Sequence, residues 1–159
     1  MQVRSKGLKQ RKVHLVDLEN VVGSGHVTEL SARQARAGYL ASGLVAPGDL
    51  VVVGVSHHNV LAAGFGWADA RRVARSGSDG ADLALQEVMA TENLFQRFSS
   101  AIIVTGDGGF ASPVARLIGR GLTVGVVAPR GRLSAALKLA ASVSCEIDFS
   151  RSIHTPWSA

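Results

Sequence analysis

The stretch Ala101-Ile102-Ile103-Val104-Thr105-Gly106-Asp107-Gly108-Gly109-Phe110 carries the clearest fold signal in this chain. Residues 101–104 form a short apolar run of the kind that makes a buried strand. The run ends in a hydroxyl, a carboxylate and three glycines, and a helical pattern follows. A second such run, residues 13–16, ends in Asp17-Leu18-Glu19-Asn20. In an open α/β sheet, ligands bind beyond the carboxyl ends of the strands, near the point where strand order reverses. Two strand-end aspartates, Asp17 and Asp107, are therefore expected to meet there. Carboxylates that converge without a cationic partner suit a hard divalent ion such as Mg²⁺ or Mn²⁺. The chemistry that follows is phosphodiester cleavage.

Outward from these two runs, strand and helix alternate. Thr28 can cap a helix reaching Gly38 or beyond, with Leu30, Ala35 and Leu40 on its apolar side. The turn at residues 46–49 leads into residues 50–55, an uninterrupted β-branched run of the kind buried on both faces. Residues 57–63 suggest a short helix, closed by Gly64 and Gly66. Residues 70–74 suggest a weaker strand, against which its arginines argue. A helix is expected from Asp79 to about Leu94, then the strand at 101–104 and a helix over 111–119 with Pro113 in its first turn. A strand at 122–127, a helix at 133–141 and a strand at 143–147 complete the series. This order predicts a single-domain, three-layer α/β/α architecture around a mostly parallel sheet, covering residues 13–149 between tails at 1–12 and 150–159.

The 159 residues suit one domain, and 47% hydrophobic content is enough for a core without metal or disulfide. The single cysteine, Cys145, is expected in the core and excludes an intrachain disulfide, which fits a reducing, cytoplasmic setting. No apolar run approaches the roughly 20 residues of a membrane span. The +5 charge sits in the first twelve residues: Arg4, Lys6, Lys9, Arg11 and Lys12, with no acid among them. Such an arm suits salt-sensitive phosphate contacts; a solvated tail is the plainer account.

The remaining polar residues each have a structural and a functional reading. Asp17 could cap a turn, and Asp107 could be a solvated acid in a glycine turn. Thr105 adds a hydroxyl beside it. Asp79 and Asp82, three apart, match a capping box at the start of a helix. Glu87 falls roughly 140° around that helix from Asp82 and is expected outside its site. Asn20 could orient Asp17 or simply make a turn. His57 and His58 could face phosphate or start a helix. Arg71, Arg72 and Arg75 could line a nucleic-acid groove or a solvated edge. Phe65 and Trp67 could stack bases or pack in the core.

Taken together, the chain resembles the NYN branch of the PIN-like nuclease superfamily, from about residue 13 to residue 147. "VDLENV" resembles that family's first-strand Asp and following Asn. "GSDGADLAL" resembles its central-helix acid, "VTGDGGF" its Ser/Thr-Gly-Asp loop, and "RGRLSAALKLAASV" the closing segment of a bacterial subgroup. The resemblance implies an RNA-cleaving enzyme dependent on Mg²⁺ or Mn²⁺, with Asp17, Asp82 and Asp107 as catalytic metal ligands and Asn20, Thr105 and Asp79 in support. Arg4, Lys6, Lys9, Arg11, Lys12, His57, Arg71 and Arg72 are the candidate RNA contacts. Gly109 stands where many relatives carry a further Asp, and Ser78-Asp79-Gly80 where many carry a Lys.

Two rivals follow from the same residues. One is an RNA-binding adaptor that kept the fold and lost turnover. The other is a haloacid-dehalogenase- or receiver-like phosphotransferase, with Asp17 as nucleophile and Lys138 as phosphate partner. Glu19 and Ala111 depart from what that chemistry uses. The sequence leaves a homodimer open.

Overall fold

The apolar, β-branched runs become strands in the computed structural model, which describes residues 10–150. β1 (Lys12–Asp17), β2 (Leu50–Ser56), β3 (Arg71–Arg75), β4 (Ser100–Val104), β5 (Thr123–Pro129) and β6 (Val143–Ile147) form one sheet of order β3-β2-β1-β4-β5-β6. All its ladders are parallel. The helices are α1 (Leu18–Val22), α2 (Glu29–Ala41), α3 (Val60–Gly66), α4 (Gly80–Thr91), α5 (Leu94–Arg97), α6 (Ala111–Gly119) and α7 (Ala135–Ala140). They divide between two apolar layers, one on each face. Leu18, Val21, Ala35 and Tyr39 pack with Val16 and Val53 on one side. Leu85, Val88, Val114, Leu117 and Leu137 pack with Val13, Leu15 and Ile103 on the other. Alternate β1 residues therefore face opposite layers, as the period of two requires. Strand order reverses between β1 and β4, which makes that gap the switch point.

Several expectations need correction. Residues 18–22, read as a loop, form α1, closed by Gly23 at φ +82°. On α2 the buried side chains are Ala32, Ala35 and Tyr39, whereas Leu30 is 60% exposed and Leu40 also faces outward. Small residues let α2 lie close to its neighbours, so the larger leucines fall outside the contact. The doubtful strand is real and runs Arg71–Arg75. It is an edge strand, where arginines blunt unwanted pairing. The central helix stops at Thr91, and Asn93 at φ 52° separates it from α5. Trp67 is buried but Phe65 is 67% exposed, so only the first packs in the core.

The boundary set at residue 12 also moves. Lys12 opens β1, its backbone N–H donates to Asp49 Oδ1 at 2.9 Å, and its ammonium lies 3.3 Å from Asp49 Oδ2. The Arg11 guanidinium sits over the Phe98 ring at 5.0 Å. Both belong to the folded domain. Arg4, Lys6, Lys9 and Trp157 lie outside the described residues.

On the face packed by α1 to α3, a depression of about 250 Å³ is lined by Ile102, Gly125, Val127, Val143 and Cys145. Cys145 is exposed among the described residues, contrary to expectation, because it lies on an edge strand. Among the described residues no helix is long and apolar enough to cross a membrane.

Candidate acidic active site

Asp17 is the last residue of β1 and caps α1. It is only 3% exposed. Its Oδ1 accepts the Asn20 backbone N–H at 3.3 Å, and its Oδ2 accepts the Thr105 hydroxyl at 3.1 Å. Thr105, just past β4, also accepts the Asp107 backbone N–H at 3.2 Å. Asp107 in turn caps the 3-10 turn Gly108–Phe110, its Oδ1 accepting Gly109 N–H at 2.9 Å. A cross-link runs the other way: Gly106 N–H donates to Asn20 Oδ1 at 2.9 Å. The loops after β1 and β4 thus hold each other. Gly106 is required here, since a Cβ would lie 2.1 Å from the Arg132 carbonyl oxygen.

Asp82 enters from α4. That helix starts hard against the sheet: a Cβ on Gly80 would meet the Arg75 carbonyl oxygen at 2.0 Å. One turn on, Leu85 presses on Gly54 of β2, where a Cβ would lie 2.4 Å from Leu85 Cγ. The capping box suggested by the spacing does not form. Asp79, at φ −98° and ψ 17°, makes no side-chain cap bond and is exposed. Asp82 instead lies near enough to Asp107 and Asp17 for both to act on its carboxyl, and Asp79 is not among the groups that do.

Three carboxyls in contact cannot all ionise without a cation or proton between them. Burial, then Asp107 and Asp17, push the Asp82 carboxyl up to about 8. Burial also raises Asp17. The coupled carboxyls Asp17 and Asp82 are thus both pushed toward holding a proton between them. Among the described residues, no set of three or more His, Cys, Asp or Glu side chains has metal-holding spacing as it stands. The donors are nonetheless all oxygen: three carboxylates and the Thr105 hydroxyl. This donor set is of the kind that would suit a hard divalent ion such as Mg²⁺ or Mn²⁺.

Sequence reasoning missed the framework behind the site. Glu19 accepts the Ser56 N–H at 2.6 Å, the Ser56 hydroxyl at 2.7 Å and the Asn59 amide at 3.1 Å. Asn59 is buried and also receives Val27 N–H at 3.0 Å. These bonds lock α1 and the loop after it to the end of β2. At the opposite edge, buried His14 bridges Tyr39 and Asp49 at 2.6 Å and 2.9 Å. Burial lowers His14 and keeps it neutral. Hydrogen bonds from His14, Lys12 and Ala46 overcome the effect of burial on Asp49 and hold it at about 2.

Among the described residues, Arg11, Lys12, Arg71 and Arg72 of the predicted RNA contacts are engaged by other groups. Lys12 and Arg11 lie at the amino edge, roughly 16 Å of strand from Asp17. Arg71, at the start of β3, forms a two-point bond to Glu92 at 2.6 and 2.7 Å. Arg72 donates to the Val60 carbonyl at 3.2 Å. His57 is at the carboxyl edge, exposed and bonded to the Ser76 hydroxyl at 2.8 Å. Glu87 points away from Asp82, to Arg75. Lys138, the phosphate partner of the phosphotransferase reading, lies on α7.

No family model and no curated protein matches this chain. Among solved structures it is similar to a Vibrio parahaemolyticus protein of unknown function. The two share 20% identity at a TM-score of 0.56, over 93% of this chain and 97% of the other. The likeness concerns the fold alone.

Proposed function

We propose that this chain is a Mg²⁺- or Mn²⁺-dependent ribonuclease that hydrolyses phosphodiester bonds at the Asp17–Asp82–Asp107 cluster. The supporting observation is that carboxyls from β1, α4 and the β4 loop meet at the sheet's switch point with no basic partner in the contact. The choice of RNA rests on the resemblance to NYN domains. A bound cation would supply charge against the scissile phosphate and lower the pKa of water at the site. Thr105 and the Asn20 backbone N–H hold the two Asp17 oxygens in fixed directions. The Asn20 side chain keeps the Asp107 loop in register with them. Asp82 would hold the cation as its carboxylate, so binding would be linked to pH. A reducing cytoplasm is the setting that a single, exposed thiol supports.

The test is cleavage of end-labelled single-stranded and hairpin RNA in Mn²⁺, Mg²⁺ or EDTA, by the parent and by Asp107→Asn. Metal-dependent cutting lost in the variant supports the reading. A parent that retains RNA but never cuts it defeats it. That outcome would favour the adaptor, a reading to which Gly109 lends weight by leaving the loop one acid short.

A further inference from the structure

The loop between β5 and α7 sits beside the acids and carries two arginines, Arg130 and Arg132. It is a built loop. Arg130 N–H donates to the Ile147 carbonyl at 2.9 Å, and Arg132 N–H to the Pro129 carbonyl at 3.0 Å. Glu146 Oε1 accepts Gly131 N–H at 3.2 Å and Leu133 N–H at 3.4 Å. Ser134 N–H bonds the Gly106 carbonyl at 3.0 Å, one residue from Asp107. From this anchor the Arg132 side chain reaches across to α1. Its Nη1 lies 2.9 Å from where a Gly23 Cβ would stand. Gly23, with no side chain and a left-handed backbone, leaves room for the guanidinium. Arg132 therefore bridges the two segments that carry Asp17 and Asp107.

Most arginines of the described fold are already engaged. Arg36 pairs with Asp69, Arg71 with Glu92 and Arg75 with Glu87. Arg130 and Arg132 are exposed and, among the described residues, have no carboxylate, carbonyl or ring as partner. An unpaired guanidinium pinned by its backbone beside an acidic cleft suits a phosphate oxygen, which it grips through two parallel N–H bonds. It also offsets the repulsion between carboxylates and a polyanion.

We infer that Arg132, with Arg130 next to it, binds a backbone phosphate of the strand that enters the acidic site, beside the phosphate at the carboxylates. This rests on the nuclease reading for the identity of the strand, but its binding can be measured without cleavage. Both arginines act as binding residues, outside the bond-breaking step.

The experiment uses fluorescein-labelled single-stranded RNA in EDTA, titrated at several salt concentrations with the parent, Arg132→Gln and the Arg130→Gln/Arg132→Gln double variant. Melting temperatures and Mn²⁺-dependent cleavage are measured in parallel. The double variant should bind about tenfold more weakly and lose about 1.4 from the slope of log Kd against log salt, as two single-strand phosphate contacts would give. KM should rise with little change in kcat, and the melting temperature should hold. Arg132→Lys should recover part of the affinity. Equal affinity and slope in parent and double variant overturn the inference, while Mn²⁺-dependent cleavage by the same proteins leaves the nuclease reading standing. Arginine-dependent binding without cleavage by the parent does the reverse. A parent that binds no RNA at low salt overturns both.

Discussion

Replacing Asp82 by Asn should stabilise the metal-free protein, increasingly as pH rises from 3.8 toward about 8. Asn is nearly isosteric and can still donate to Asp17 and Asp107, but it cannot ionise. In the parent, the Asp82 carboxyl is raised from 3.8 to about 8, so the folded state binds more protons than the unfolded chain between those values. The contribution of Asp82 to stability is thus fully present below pH 3.8 and is lost as pH rises through about 8. At 1.36 kcal/mol per unit, the full shift would correspond to about 6 kcal/mol. Asp82 is only half-buried, and solvent screening reduces this to about 1–3 kcal/mol. For a domain of this size that is about 3–10 °C in melting temperature. Thermal scans in EDTA from about pH 4 to pH 9 should show the parent falling steeply up to about pH 8 and Asp82→Asn staying flatter, with the curves meeting near pH 4. Adding millimolar Mn²⁺ at pH 8.5 should restore the parent and leave the variant unmoved. Parallel curves across the pH range would refute the shared-proton description of the site.

Gly109→Asp should fit without strain, since the added Cβ would meet the Asp107 carboxylate at an ordinary 3.5 Å. It should lower the Mn²⁺ concentration needed for half-maximal cleavage or thermal protection, and an unchanged midpoint would remove Gly109 as the weak point of the site. Glu19→Gln leaves one of its three donors without a good acceptor and should cost about 1–3 kcal/mol in urea unfolding. Because Asp49 is held at about 2 and His14 is lowered, both contribute stability above their unfolded values and lose it as pH falls. Asp49→Asn should therefore flatten the acid limb of a stability-versus-pH curve below pH 4, where the parent loses about 1–2 kcal/mol. A variant that keeps the full acid slope would place that loss elsewhere.

The sheet was legible because buried parallel strands must be continuously apolar, and residues 50–55 and 101–104 are. Asp17, Thr105 and Asp107 were legible because they directly follow such runs. Asp82 was not legible from spacing. Its separation from Asp79 is that of a capping box, which does not form. The Glu19–Ser56–Asn59 bonds join residues 37 and 40 apart, so no local pattern marks them. Leu30 and Leu40 misled for the opposite reason. They fit the helical period, but the close contacts of α2 are made by Ala32 and Ala35. The tail boundary at residue 12 was placed too late, since charge composition does not distinguish a free lysine from one that opens a strand and pairs with an acid, as Lys12 does with Asp49.

The contact between Gly54 and Leu85 bears on how such a chain can drift. Leu85 lies less than one turn beyond Asp82, so whatever displaces that leucine swings the carboxyl with it. A single methyl group at residue 54 has nowhere to go except into Leu85. A sheet this well packed can absorb the displacement and remain folded, while three oxygens that must converge cannot. A genetic screen scored by activity should therefore return residue 54 beside the three aspartates, whereas a screen scored by abundance should pass over it. Mutational tolerance in this protein would then follow the mechanical route to the acid rather than the presence of a functional group.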